Sequence, residues 1–287
     1  MLFENFQLKT ITLKEVQVRV RIGGEGPPLL LLHGHPQTHM MWHKVAPLLA
    51  KNFTLVMPDL RGYGDSSKPA STPDHSSYSK RVMAKDQMEL MEKLGFTRFA
   101  VAGHDRGARC AYRLALDFPE AVEKLAVLDI IPTGEAFRRT NKEFASATWH
   151  WFFLSQPFDL PEKMIGENPD NFYFRGTREP FHPEALEDYL RCIRNPGTIH
   201  AMCEDYRAGA TFDFELDEQD RGTKKIACPV LALWSEQGEL PKLYDVLEIW
   251  RGWADDVQGR GIDCGHYLAE EAPEEVEKEL QDFFQSN

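Results

Sequence analysis

Residues 102–109 read Ala-Gly-His-Asp-Arg-Gly-Ala-Arg, and this stretch decides how the rest of the chain is read. A short apolar run, Arg98 to Gly103, leads into it, and a helical pattern with Ala108, Ala111, Tyr112 and Ala115 on one face leads out. A residue between a strand and a helix, flanked by Gly103 and Gly107, takes a sharp turn that lifts its side chain clear of the sheet. That residue is Asp105, a carboxylate at a helix N-terminus, where the helix end favours the ionised form. A plain helix cap is the simpler role for an aspartate there. The surroundings must decide between the two.

Outward from this turn the chain alternates. Val16 to Ile22 has the polar–apolar rhythm of a half-buried strand. Segments 29–33, 53–59, 124–129 and 229–235 are short apolar runs closed by turn signals, as in strands buried on both faces of a parallel sheet. Helical patterns fall between them, over Tyr78 to Leu94 with Gly95 as a stop, and after Pro273. The class is α/β, with a mostly parallel sheet flanked by helices. From 132 to 222 no buried-strand run appears. Helical segments rich in Trp, Phe, Tyr and His dominate there, broken by prolines. This predicts a helical cap inserted at 132–222 over a core formed by 1–131 and 223–287, covering the carboxyl edge of the sheet, where open α/β folds bind ligands.

Composition narrows the function. The chain has 287 residues, 33 basic and 45 acidic, and a formal net charge of -12, which argues against a nucleic-acid partner. The longest aliphatic run, Leu29 to Leu32, is far short of a membrane span, and the first ten residues lack the pattern of a signal peptide. Five scattered cysteines with no CxxC pair suggest reduced, buried thiols rather than a metal site or disulfide framework, and a cytoplasmic location is expected.

Three further features share the position of Asp105 at the carboxyl end of a strand. Asp129 closes the KLAVLD run, a place where an unpartnered carboxylate is costly. His266 lies in DCGHY just before a helix, and HGHP at 33–36 is a glycine turn able to aim backbone N–H groups at a pocket. The N–H groups of His35 and Arg106 would then form an oxyanion hole.

With these four features the chain resembles the α/β-hydrolase fold family over essentially its whole length. The nucleophile elbow is met by Gly103-His104-Asp105-Arg106-Gly107, and an Asp nucleophile restricts the resemblance to haloalkane dehalogenases, haloacetate dehalogenases and epoxide hydrolases. A carboxylate displaces a leaving group at saturated carbon and leaves an ester, which a base-activated water cleaves. The resemblance makes His266 that base and Asp129 its support.

Arg106 and Arg109 sharpen the reading. In a 2-haloacid the carboxylate adjoins the carbon under attack. Two unit charges 4 Å apart repel by about 4 kcal/mol at an effective dielectric of 20, roughly a thousandfold in rate. Guanidinium groups beside the nucleophile offset that repulsion and orient the carbon. Surface ion pairing is the plainer use of both arginines. DRGAR looks like the haloacetate (fluoroacetate) dehalogenases in particular, and that resemblance implies that Arg106 and Arg109 hold the substrate carboxylate. It also implies a halide pocket of His150, Trp151 and Tyr206, residues whose composition alone suggests core or surface. Each lost donor there would cost roughly 2.7–4 kcal/mol, as for an oxyanion-hole donor. The expected reaction converts fluoroacetate or chloroacetate to glycolate and halide, with no metal or organic cofactor and a homodimer as the implied assembly. One departure stands out: the family's HGFP-type turn is HGHP here, so His35 puts a titratable group in the pocket wall. The alternatives are an epoxide hydrolase, with Tyr206 and either Tyr173 or Tyr189 activating the epoxide oxygen, and a non-catalytic ligand receptor on the same scaffold.

Overall fold

The computed structural model describes residues 2–174 and 179–286. Eight strands form one sheet: β1 (Gln7–Thr12), β2 (Gln17–Gly23), β3 (Pro28–Leu32), β4 (Thr54–Pro58), β5 (Phe99–His104), β6 (Val122–Leu128), β7 (Val230–Ser235) and β8 (Val257–Ile262). Their order is β1-β2-β4-β3-β5-β6-β7-β8. β1 and β2 pair antiparallel with each other, and β2 pairs antiparallel with β4. Every other pairing is parallel.

The central strands are those with the longest apolar runs, and Leu29 to Leu32 are fully buried. Helices cover both faces of such a sheet because its inner strands have no polar side to show water. Two elements escaped the sequence pattern, β1 and β8, and both are edge strands, β1 with largely exposed side chains and β8 with a mixed pattern buried only at its end. The helix expected from Tyr78 begins at Lys80, where Ser79 caps it by accepting from the N–H of Val82, and Tyr78 lies in a preceding 3-10 turn. Gly95 follows at φ 88°, the left-handed stop that its lack of a side chain permits.

Between β6 and β7 the described residues contain helices and no strand, from Thr133–Arg138 to Phe214–Asp220. Helix Pro196–Ala208 runs into a wider π turn, Gly209–Asp213. All five cysteines are buried with free thiols. Among the described residues no helix is long and apolar enough to cross a membrane.

Candidate active site

Asp105 follows β5 directly and has φ 46° and ψ -116°, a conformation an L-residue holds only when its surroundings impose it. The imposition is steric. A Cβ at Gly103 would lie 2.6 Å from the backbone of Gly107 and Ala108, and one at Gly107 would strike the backbone of Leu32 and His33. Only glycines let β5, β3 and helix Arg106–Asp117 approach this closely. Asp105 occupies the N-cap position of that helix, yet its side chain makes no capping bond. The carboxylate instead faces a cavity and accepts a hydrogen bond from the backbone N–H of His35 at 2.8 Å. Gly34 makes that contact possible, since a Cβ there would lie 2.8 Å from Asp105 Cβ.

Asp129 directly follows β6, also at positive φ, 55°. Its Oδ1 accepts from the N–H of Ser235 at 2.9 Å, which leaves Oδ2 to accept from Nδ1 of His266 at 2.6 Å. His266 comes after β8 and lines the same cavity. Its carbonyl accepts from Nε2 of His104 at 2.7 Å. Burial holds His104 down at about 4, so its ring is neutral and able to make that bond.

Charge is distributed to suit a nucleophile and a base. Burial works against the ionised form of Asp105, but the charges of His266 and Arg109 and the His35 N–H outweigh it, and the carboxyl titrates below its usual range. For His266 burial lowers the pKa, but the hydrogen bond and charge of Asp129, followed by the charge of Asp105, raise it to about 9. In the resting site His266 is therefore a cation beside a carboxylate. His35 is pushed down to about 3, chiefly by burial, so this wall of the pocket stays neutral across working pH. The titratable wall expected from HGHP is thus polar but uncharged there.

The two arginines, alike in sequence, differ in the structure. The Nε and Nη2 of Arg106 donate to the carboxylate of Asp205, and Nη2 also donates to its backbone carbonyl. Asp205 also receives Lys80 and the hydroxyl of Tyr63. Arg106 stacks over the Tyr206 ring at 4.3 Å, and the space for its guanidinium exists because residue 209 is glycine, whose Cβ would lie 3.1 Å from Nη2. Only Nη1 is left without a bond among the described residues. The expected pair of free cations is therefore unequal. Arg109 makes no ion pair among the described residues: Nη1 donates to the Ile131 carbonyl and the Thr133 hydroxyl, each at 3.1 Å, and Nε has no partner. It is buried against Trp151, 4.4 Å from the ring, and lines the cavity.

His150, Trp151 and Tyr206 come together in the lining of the same cavity, with the Tyr206 ring 5.9 Å from His150 and 6.3 Å from Trp151. Burial depresses His150 to about 4 and raises Tyr206 well above its ordinary value, so one neutral imidazole and one intact phenol face the cavity. Each retains an N–H or O–H to donate. Sequence reasoning missed Asp205, Lys80 and Tyr63, whose charges look like ordinary surface charge until the fold buries them. It missed His104 as well. A group of metal-type ligands, Glu162, His200 and Glu204, lies outside the lining of this cavity, and Arg207 already bonds both glutamates.

The alpha/beta hydrolase fold model matches residues 27–273. A fluoroacetate dehalogenase from Burkholderia sp is 45% identical, covering 98% of this chain and 95% of its own length. A soluble epoxide hydrolase from Corynebacterium sp. (strain C12) is 35% identical, covering 91% of each. A solved structure from Nostoc sp PCC 7120, described as an alpha/beta hydrolase, superposes with a TM-score of 0.98 at 54% identity over the full length of both chains. The strand order, the strained aspartate after β5 and these likenesses agree: the chain belongs to the α/β-hydrolase fold family and is similar to fluoroacetate dehalogenase.

Proposed function

We propose that the protein hydrolyses the carbon–halogen bond of 2-haloacids such as fluoroacetate and chloroacetate, giving glycolate and halide through an aspartyl ester. The observation that carries this reading is Arg109, a buried guanidinium that makes no ion pair among the described residues, lining the cavity beside a carboxylate placed to attack. A buried cation without a partner is costly, and a substrate carboxylate supplies one. Arg106, paired with Asp205 and outside the residues that line the cavity, would reach the substrate carboxylate only through Nη1.

In the first step an Asp105 oxygen bonds to C2 and the C2–halogen pair leaves on the halide, toward His150, Trp151 and Tyr206. The helical segment 132–222 acts as the cap that carries these three donors. Ester formation removes the charge of Asp105, one of the groups holding His266 protonated, and so moves His266 toward its neutral, basic form at the moment a base is required. His266, held by Asp129, then takes a proton from water. The hydroxide adds to the ester carbonyl, whose oxygen is stabilised by the N–H groups of His35 and Arg106, and glycolate departs as the Asp105 carboxylate is restored. The reading carries with it a cytoplasmic homodimer and no metal or organic cofactor.

Halide release from fluoroacetate and chloroacetate, read side by side with ion-selective electrodes, tests it. Release of both ions, or of fluoride, supports the reading, and release of neither rejects it. The second reading is an epoxide hydrolase with the same Asp105 and His266, favoured by the 35% identical Corynebacterium relative. Turnover of styrene oxide without halide release would select it. Arg109, without an ion pair among the described residues, has no part in opening a neutral epoxide.

A further inference from the structure

The cavity is larger than a haloacetate requires. Its volume is about 460 Å³. Fluoroacetate has five heavy atoms and fills roughly 150 Å³ at the ~30 Å³ that one heavy atom occupies in liquid water. Space for roughly ten more heavy atoms remains, and a cavity of this size is ordinary for ligands well above five atoms.

The lining divides by chemistry. Asp105, Arg109, His150, Tyr206 and His266 are the polar residues nearest the proposed reaction, and His35, Asp129, Tyr173 and Thr148 also line the cavity. Helices Thr133–Arg138, Lys142–Ala147 and Leu240–Leu243, with the segment after β6, contribute Ile131, Ala136, Phe144, Ala147, Leu240 and Leu243. Glu239, the charged residue beside them, is paired with Lys242 and half exposed. Leu240 and Leu243 are only partly buried, in a helix none of whose residues is buried. An apolar surface left open in a closed fold needs an apolar occupant to leave water.

Displacement at C2 fixes three directions: Asp105 behind the carbon, the halide ahead of it, the carboxylate toward Arg109. What remains on C2 is hydrogen or a further substituent. We infer that the apolar part of the cavity receives a hydrocarbon chain on C2, so that the substrates of this site are 2-haloalkanoates with side chains of about four carbons as well as the haloacetates. This rests on the dehalogenase reading and extends it. The step is unchanged: an Asp105 oxygen bonds to C2, the halogen leaves with the bonding pair, and water then releases a 2-hydroxyalkanoate and restores the carboxylate.

The test uses the whole protein and two unreactive acids, acetate and hexanoate, as inhibitors of chloroacetate turnover, with 2-bromohexanoate as substrate. Each buried methylene is worth roughly fourfold in binding, so hexanoate is expected to inhibit at concentrations at least about tenfold lower than acetate. Bromide and 2-hydroxyhexanoate are expected from 2-bromohexanoate. Leu243→Trp fills the apolar part and is expected to erase the preference for hexanoate over acetate. Ala147→Phe, at an exposed position of the same wall, gives the same readout if the first variant does not fold. Chloroacetate turnover with no preference for hexanoate would overturn the inference and leave the dehalogenase reading standing. A preference untouched by both substitutions would overturn the assignment of the chain to this wall. Failure of every haloacid of either length to release halide would remove the dehalogenase reading, and the inference with it.

Discussion

The sheet and the helical segment above it contribute to the site in different ways. The ends of β3, β5, β6 and β8 deliver the His35 N–H, Asp105, Asp129 and His266, the first two fixed by glycine approaches that a single Cβ would break and the last two by hydrogen bonds from Ser235 N–H to Asp129 and between Asp129 and His266. The helical segment delivers His150, Trp151 and Tyr206 as ring contacts 5.9–6.3 Å apart, held by packing. In the proposed reaction the strand ends would position the atoms that make and break bonds, and the helices would shape what those atoms meet. Substitutions in the first group should stop a step outright, and those in the second should change rates by degrees.

The largest effects test the first half of that contrast. Asp105→Asn should lower turnover by about 10⁴-fold or more, since no other group can form the ester. His266→Ala should release one halide per site and then halt, with the protein heavier by one carboxymethyl group in an intact mass spectrum. Sustained turnover in that variant would remove His266 as the base. Tyr206→Phe tests the second half. It should slow fluoroacetate by about 100-fold or more and chloroacetate by less, because fluoride depends more on donated hydrogen bonds. Equal losses in the two kcat values would mean that Tyr206 does not serve the leaving group. Arg109→Gln should raise KM for chloroacetate by about 10- to 100-fold, the worth of a charged hydrogen bond, while leaving the turnover of a neutral analogue such as chloroacetamide nearly unchanged.

The smallest expected effect sits where the two regions meet. Glu270 follows the His266 loop and is buried, receiving Gln37 from the turn after β3 and Tyr189 from helix Pro183–Ile193. Burial raises its carboxyl to about 8. Between the usual glutamate value of ~4.3 and about 8 the folded protein binds a proton that the unfolded chain has lost, so stability falls as pH rises across that window. Glu270→Gln should flatten this dependence, shrinking the difference in Tm between pH 5.5 and pH 8 by roughly 2–4 °C or more. An unchanged slope would place the pH dependence elsewhere.

The same contrast explains what could be read from the sequence. β3 to β7 are legible because strands buried on both faces must be apolar throughout, and Asp105 and Asp129 stand out as polar groups closing such runs or the turns after them, whereas His266 was picked out in DCGHY just before a helix. β1 and β8 were invisible because an edge strand faces water, and VQGRGI has neither an apolar run nor a regular alternation. The helical segment was legible as helix, but the places of His150, Trp151 and Tyr206 came from family resemblance. The inequality of Arg106 and Arg109 could not be read at all. It depends on Asp205, nearly a hundred positions away, meeting Lys80 and Tyr63 in a space that only the folded chain encloses.

That meeting has a consequence for traffic. Asp205 belongs to the helix that also bears Tyr206, and it is riveted from below by Lys80, Arg106 and Tyr63 without access to water. Removing one partner of a buried ion pair costs about 3–5 kcal/mol, so this end of the helix is anchored as firmly as the sheet beneath it. The cavity meets water instead at Leu240, Leu243 and Trp149, whose side chains line it and already reach the solvent.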